Sequence, residues 1–418
     1  MELNFKIKDR SDTNFKKREE NLLIFKKKGF PNKREEEWKF TDLEKILNDN
    51  FVELNNEKFE KNRPNIQNFN FNHNSITLLN GKLESFNFKL ENFENKNSSA
   101  VKELYLEHHL NYKSELNDNS MQNLNTALHE GGYSLNINSD IKLKYPIIIY
   151  NYFSGPLKNK IINNSEIINI SKNSNAIIIE YLIDESEGCF FKNTFKYINV
   201  EEGGSLTYFV INKNHSNNFF YDFSKVSLLK NSNFKKFIFS SGVKFCKFEN
   251  DIKLSGINSC SEIYSGLFLG KNNHQEIKTN IQHLKPNCKS HQDIKNVLTA
   301  GSKGVFQGKI FVDQVAQKTN AYQLSKGLLI DENAEFSTKP ELEIYADDVK
   351  CSHGSTSGNI DKETLFYLKT RGIEEKEAVK MIIKGFLESV LKKIENKEII
   401  DILAIHFNKN IKYENRSN

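Results

Sequence analysis

Cys351 and His353 are the residues of this chain whose types and spacing are best suited to chemistry. They lie in Lys339-Pro-Glu-Leu-Glu-Ile-Tyr-Ala-Asp-Asp-Val-Lys-Cys-Ser-His-Gly354, where a strand-like run (Leu342, Ile344, Tyr345) leads into the pair. In an extended segment, residues i and i+2 point to the same side, so a thiol and an imidazole would share one face. Both are ligands for iron or zinc. The small residues from Gly354 to Gly358 leave that face uncrowded, and ordinary packing is the competing role for the two side chains.

Other donor groups are weaker candidates. His274, His283, Cys288 and His291 form a second stretch, and Cys288-x-x-His291 has ligand-like spacing. A structural zinc site usually shows two short-spaced pairs, so these residues are expected to be strand and turn positions without metal. Cys189, Cys246 and Cys260 are expected as small buried apolar residues, and His108-His109 as solvated. Gly301-Ser-Lys-Gly304 and Gly308-Lys309-Ile310 do not have the spacing of a phosphate-binding loop, and no dinucleotide fingerprint opens a helix. No bound nucleotide is expected. Asp347 and Asp348 are adjacent, so on a strand they would face opposite ways. That argues against a polysaccharide-acting β-helix enzyme, which needs paired carboxylates.

The elements that must position these groups fall into three regions. Residues 11 to 50 predict two helices, one capped by Ser11 or Asp12 and ended at Gly29-Phe30-Pro31, the other starting at a Thr41 cap with Leu43, Ile46 and Leu47 on one face. Ile76–Leu79 followed by Asn80-Gly81 predicts a strand and turn, and a helical patch is expected around Ala100 to Leu116. From about Asn125 to Tyr345, runs such as Pro146-Ile-Ile-Ile-Tyr150 and Ser205-Leu-Thr-Tyr-Phe-Val210 alternate with Gly, Asn and Ser clusters. This texture predicts a large all-β domain, better suited to a solenoid than a sandwich at this length, although no crisp repeat is visible. Asp361 caps a helix closed by Arg371-Gly372, and Ala378, Met381, Ile382, Phe386, Val390 and Ile394 are expected to line one face of the next. A last amphipathic segment runs from about Lys397 to Phe407.

The 418 residues carry a net charge of +5 with acidic and basic residues interspersed, which argues against nucleic acid as a partner. The beginning of the chain has no apolar signal-like stretch, and no apolar run approaches a membrane span. Five scattered cysteines do not make a disulfide framework. The expected location is the cytoplasm.

From Asn296 to Ser389 the chain resembles the C-terminal part of the SufB/SufD family, scaffolds for iron–sulfur cluster assembly. The segments that carry the resemblance are Gly304-Val-Phe-Gln-Gly-Lys-Ile310, Ala316-Gln-Lys-Thr-Asn-Ala321, Leu328-Leu-Ile330 and the peptide from Lys339 to Gly354. Leu365-Phe-Tyr-Leu368, Arg371-Gly-Ile373 and Lys384-Gly-Phe386 continue it. Asn125-Thr-Ala-Leu128 is similar more weakly, and Arg34-Glu-Glu-Glu-Trp-Lys-Phe-Thr41 resembles a tryptophan motif near the start of such chains. The SufD branch is the better match. SufB-type chains carry a reactive cysteine just before the Leu-Leu-Ile segment, where this chain has Tyr322-Gln-Leu-Ser325. They also read His-Glu where it has Ser352-His353-Gly354.

The resemblance implies a right-handed parallel β-helix core (121–346) flanked by an N-terminal mainly helical region (1–120) and a C-terminal helical domain (347–418). It implies pairing with SufB through the β-helix edge, or with a second copy in isolation. A SufC-type ATPase would dock on the C-terminal helices around Leu365, Arg371, Gly372, Ile373, Met381 and Phe386. It further implies that His353, with Cys351 nearby, helps bind iron or a transient cluster shared with SufB, and that a reduced flavin belongs among the groups the complex could carry. A stand-alone metal-binding protein is the remaining alternative, and would require His283, Cys288 and His291 to converge.

Overall fold

Runs of β-branched and aromatic residues broken by Asn and Gly fold here into strands that return to the same place once per turn of a solenoid. The computed structural model describes residues 1–7, 14–57, 69–88, 104–107 and 119–410. The chain is mainly β, a solenoid of about eight turns with helices near both termini. Each turn contributes one strand to each of two parallel sheets. The first sheet runs through Gly131–Ile137, Lys160–Ile170, Phe190–Val200, the later parts of Ser205–Leu228 and Asn233–Leu254, His274–His283, Lys303–Val312 and Glu335–Ile344. The second runs through Asn74–Leu79, Ile147–Pro156, Asn175–Glu187, the earlier parts of the same two long strands, Cys260–Leu269, Lys289–Leu298, Thr319–Leu329 and Val349–Asn359.

The register exposes the repeat that the sequence hides. Leu135, Ile168, Ile198, Val226, Ile252, Ile281, Ile310 and Leu342 stack one upon another along the interior of the first sheet. Most of them belong to the buried lumen cluster. At one corner of each turn Asp140, Asn173, Gly203, Asn231, Asn258, Asn287 and Lys318 hold φ between 55° and 69°. Asn and Asp are tolerated in this left-handed region because their short polar side chains bond locally. The corner backbone is laddered as well: the amides of Asn173, Asn231, Asn258 and Asn287 donate to Glu202, Ile257, Pro286 and Gln317 in the following turn. The spacing along the interior stack drifts between 26 and 33 residues, so no sequence repeat stands out.

The lumen is not wholly apolar. Lys196, fully buried, pairs with Asp222 and lies 3.1 Å from Glu180, which also takes Tyr208 Oη at 3.1 Å. Such groups are tolerated inside only because they satisfy one another.

Helices cover both outer faces. Helix α1 (Phe15–Lys28), the 3-10 turn Glu36–Trp38, α2 (Leu43–Asn50) and α3 (Ser120–Leu128) bury Leu22, Phe25, Trp38, Leu47 and Met121 against Phe191, Phe195, Tyr221 and Phe245 of the first sheet. On the second sheet, α5 (Glu375–Leu391), preceded by α4 (Lys362–Thr370) and followed by α6 (Lys397–Asn410), packs over Phe209, Phe237 and Tyr264.

Several local expectations change. The second helix is capped by Asp42, whose side chain accepts from the Lys45 amide, because Thr41 is diverted into a buried bond with Glu276. Gly29 does end α1, at φ 76°, while the expected caps Ser11 and Asp12 lie outside the described residues. Within Ala100–Leu116, the described part, Leu104–Glu107, is a strand antiparallel to Gly131–Ile137 rather than a helix. His108 and His109 lie outside the described residues. Helix α3 was not anticipated, since its apolar residues are interleaved with Asn and Gln that are themselves buried. The buried stripe of α5 is Ala378, Val379, Ile383, Leu387 and Val390, so Met381 faces solvent instead of the core. An i+4 path from Val379 through Ile383 and Leu387 lies on the aromatic wall of Phe209, Phe237 and Tyr264, with Phe386 at its margin and Met381 off it. Finally, Val349–Asn359 continues the second sheet beyond residue 346, so strand structure reaches well into the C-terminal region.

Candidate functional site

In Thr319–Leu329 the odd-numbered residues Ala321, Gln323, Ser325 and Gly327 are buried and face the lumen. The next turn places Cys351 over Ala321, His353 over Gln323 and Ser355 over Ser325. Cys351 and His353 therefore share the inward face, as their i, i+2 spacing predicts. Yet His353 is exposed and Cys351 only half-buried. The reason is topological. Among the described residues, Glu335–Ile344 pairs only with Lys303–Val312, and Val349–Asn359 only with Thr319–Leu329. The last turn is the solenoid's open end, and groups that would be enclosed in the lumen elsewhere are open to solvent there.

The two side chains differ in setting. Cys351 packs with Val349 and Leu342 on Ile310, Val312, Ala316 and Ala321. Burial raises its thiol above the ordinary value, against a lowering hydrogen bond with the Ala321 backbone. A protonated thiol is a poor nucleophile and metal ligand until a neighbouring cation draws the proton off. His353 sits above a polar file: Thr279 Oγ1 donates to Gln292 at 2.7 Å, Gln292 Nε2 to Gln323 at 3.4 Å, and Gln323 Nε2 to the Gly308 carbonyl at 3.2 Å. A Cβ at Gly308 would come 2.6 Å from Gln323 Oε1, so any side chain there would displace Gln323 or the Phe306 ring. Two residues along the strand, Ser325 Oγ lies 3.1 Å from Thr338 and 3.0 Å from Ser355, linking the two sheets across the lumen mouth. Gln323, Ser325, Thr338 and Ser355 were not singled out in the sequence. The signal that finds them is the turn length, which carries Gln323 onto His353.

Two donors are half of a four-coordinate site. Among the described residues no group of three or more His, Cys, Asp or Glu side chains gathers as a metal site. The other donor stretch is dispersed. His283 Nε2 lies 2.9 Å from Ser290 Oγ, buried, with its ring pushed down to about 4 by burial. Cys288 is buried in a turn against Ser259 and the Gly256 carbonyl. His291 stacks on Tyr322 at 5.3 Å, and His274 Nε2 lies 3.0 Å from Thr41. Cys246 is buried in the lumen, whereas Cys189 and Cys260 are half-buried, with burial pushing their thiols up to about 12 and about 11.

The expected docking residues divide into two groups. Leu365 and Phe386 pack toward the solenoid, where Lys295 Nζ lies 4.9 Å from the Phe386 ring and donates to its carbonyl. Arg371, Gly372 and Met381 are exposed, and Ile373 is half-buried. Phe366 and Tyr367, 70% and 55% exposed, join Met381 as large apolar side chains without cover, and Arg371 lies over the Tyr367 ring at 5.1 Å. Among the described residues no helix is long and apolar enough to cross a membrane.

Two family models match the chain: the SufBD core domain of the SUF system for FeS cluster assembly over residues 153–386, and the SufBD protein N-terminal region over residues 5–149. The iron-sulfur cluster assembly protein SufD of Escherichia coli is 26% identical over 376 residues, covering 88% of this chain and 86% of that protein. An iron-sulfur cluster assembly SufBD family protein of Synechocystis is 25% identical over 406 residues, 90% of this chain and 88% of the relative. The chloroplastic protein ABCI7 of Arabidopsis thaliana is 28% identical over 232 residues, 55% of this chain and 49% of its own length.

Proposed function

The chain belongs to the SufBD family of the SUF iron–sulfur cluster assembly system, and on that premise we propose that it is a SufD-type scaffold subunit. It catalyses no reaction of its own and completes a cluster-building site together with a SufB-type partner. The observation that carries this reading is the open end. The strands Glu335–Ile344 and Val349–Asn359 each have one unpaired edge among the described residues, and His353 and Cys351 stand on the inward face there. Backbone edges of this kind take another strand readily. A partner solenoid docked end to end would bury those edges and enclose His353 and Cys351 in a shared lumen.

In such a joint the imidazole of His353 acts as a neutral nitrogen ligand for cargo iron or for the nascent cluster. Cys351 contributes sulfur only once cargo iron lowers its thiol from the raised value that burial imposes. The partner supplies the remaining ligands and the sulfur-accepting cysteine, for which this chain has Ser325 and its neighbours. The exposed apolar side chains Phe366 and Tyr367 on α4, with Arg371 over Tyr367, and Met381 on α5 are what these helices offer to a SufC-type ATPase. Their aromatic and Arg content suits an interface centre.

Mild purification of the tagged chain from its own cells tests the assembly, which should bring down a SufB-type chain and an ATPase. A clean monomer would sink it. His353→Ala should leave that complex intact while cluster-dependent enzymes lose activity in cells. Unchanged activity would remove His353 from the site.

A further inference from the structure

The segment Arg34–Thr41 has no part in the function proposed above, yet it crosses the outer face of the first sheet from Ser205–Leu228 to Glu335–Ile344. The Trp38 ring lies 5.5 Å from Tyr221, and Lys247 Nζ sits 3.9 Å over the indole. Thr41 bonds Glu276, Glu37 pairs with Lys278, and Glu36 pairs with Lys339 on the terminal strand.

The two halves of this strap are held by different forces. Trp38 and Thr41 are buried, and Glu276, which receives Thr41, is also bonded by Lys247 at 2.6 Å. Glu36 and Glu37 have side chains 68% and 63% exposed, tied by ion pairs to Lys339 and Lys278, while the Glu37 carbonyl also accepts from Lys247 Nζ at 3.0 Å. Lys339 holds the Glu36 carboxyl below its usual range. Exposed ion pairs contribute little and are screened by salt, whereas the buried anchor is not. Beneath the exposed half lies a cleft of about 440 Å³ lined by Asn250, Lys278, Asn280, Gln307 and Lys339.

We propose that Glu35–Thr41 is a two-part strap, fixed at Trp38 and Thr41 and reversibly latched through Glu36 to Lys339, so that the N-terminal region is tied to the terminal turn by a contact that opens over the cleft. Glu37 on Lys278 is the second, inner catch. Because Lys339 lies on an edge strand, any event that moves that strand shifts the latch, and the latch in turn biases the strand. This goes beyond the end-to-end reading and stands whether or not a SufB-type chain binds.

Limited proteolysis of the full chain with a glutamyl endopeptidase tests it, because Glu35, Glu36 and Glu37 are consecutive cleavage points and cleavage follows the opened population. Lys339→Gln should raise cleavage before Trp38 roughly two- to fivefold, the scale expected for a lost surface pair. Glu36→Gln, which keeps two cleavage points, should do the same, and the double variant should be no faster than either single one. About 0.5 M salt should speed cleavage of the unaltered chain, and speed Lys339→Gln less, because only the Glu37–Lys278 catch is left to screen. Trp38 is the only tryptophan in the chain, so its emission, read on uncut protein, reports the anchor independently and should be the same in every variant and at either salt concentration. Wild-type cleavage in Lys339→Gln, additive effects in the double variant, or a Trp38 shift in an uncut variant would each overturn the proposal.

Discussion

His353 and Gln323 occupy the same position in successive turns, but only Gln323 has a turn above it. The two should therefore respond differently to truncation. Gln323→Ala strands buried partners and should cost about 1–3 kcal/mol of unfolding free energy. His353→Ala should stay within about 0.5 kcal/mol, because nothing is buried on it in the free chain. Urea midpoints of the two variants check this. Buried His283 gives a pH signature. Burial lowers its folded pKa to about 4, so between about 4 and the ordinary 6.5 the unfolded chain takes up a proton that the folded chain refuses. The stability it supports is complete above pH 6.5 and is lost as pH falls toward 4, by up to about 3 kcal/mol. His274, also lowered to about 4 mainly by burial, acts in the same direction. Urea midpoints between pH 7 and 4.5 should fall, and more gently for His283→Gln.

Helix α5 and the strand corners decide how the faces are covered. Ile383 is buried on the second sheet while Met381 is half-exposed on the opposite side. Ile383→Ala should cost about 2–5 kcal/mol. Met381→Ala should be nearly silent in a melt but weaken capture of the ATPase partner if that face docks it. The sequence made the existence of α5 plain and found Ala378, Phe386, Val390 and Ile394 on the packed side, but placed Met381 there and missed Val379, Ile383 and Leu387, because an apolar stripe read at three- and four-residue spacings can follow either of two neighbouring paths. The aromatic wall that chooses between them comes from Phe209, Phe237 and Tyr264, more than a hundred residues earlier. The all-β texture was readable for the same reason that the turn length was not: each strand announces itself locally, whereas Ile252 above Val226 is a relation between turns. Cys351 and His353 were visible as a pair on one face. That this face is the lumen, opened by the end of the stack, depends on register and could not be read from the peptide alone.

At the scale of the whole molecule the two ends differ. The first turns are joined by antiparallel strands, Lys82–Asn87 on Asn74–Leu79 and Leu104–Glu107 on Gly131–Ile137, while the last turn ends in free edges among the described residues. In a parallel ladder neighbouring residues direct their amides to opposite sides, so of Ser355 and Thr356 one bonds inward and the other outward. Proline at the outward position should weaken pairing with a partner chain while leaving the monomer's melting temperature nearly unchanged, and proline at the inward position should lower both. Sedimentation and thermal melts of the two variants separate these outcomes.

A stack whose turns touch only their neighbours loses order from whichever terminus lacks a neighbour, as a zipper does. Amide exchange in the free chain should therefore quicken toward Val349–Asn359, the stretch that carries Cys351 and His353, and slow once another solenoid abuts it. Cys351 and His353 thus sit on the turn that frays first, and in the joint proposed above they would become rigid only when the counterpart arrives, so a lone chain would hold them in order only part of the time.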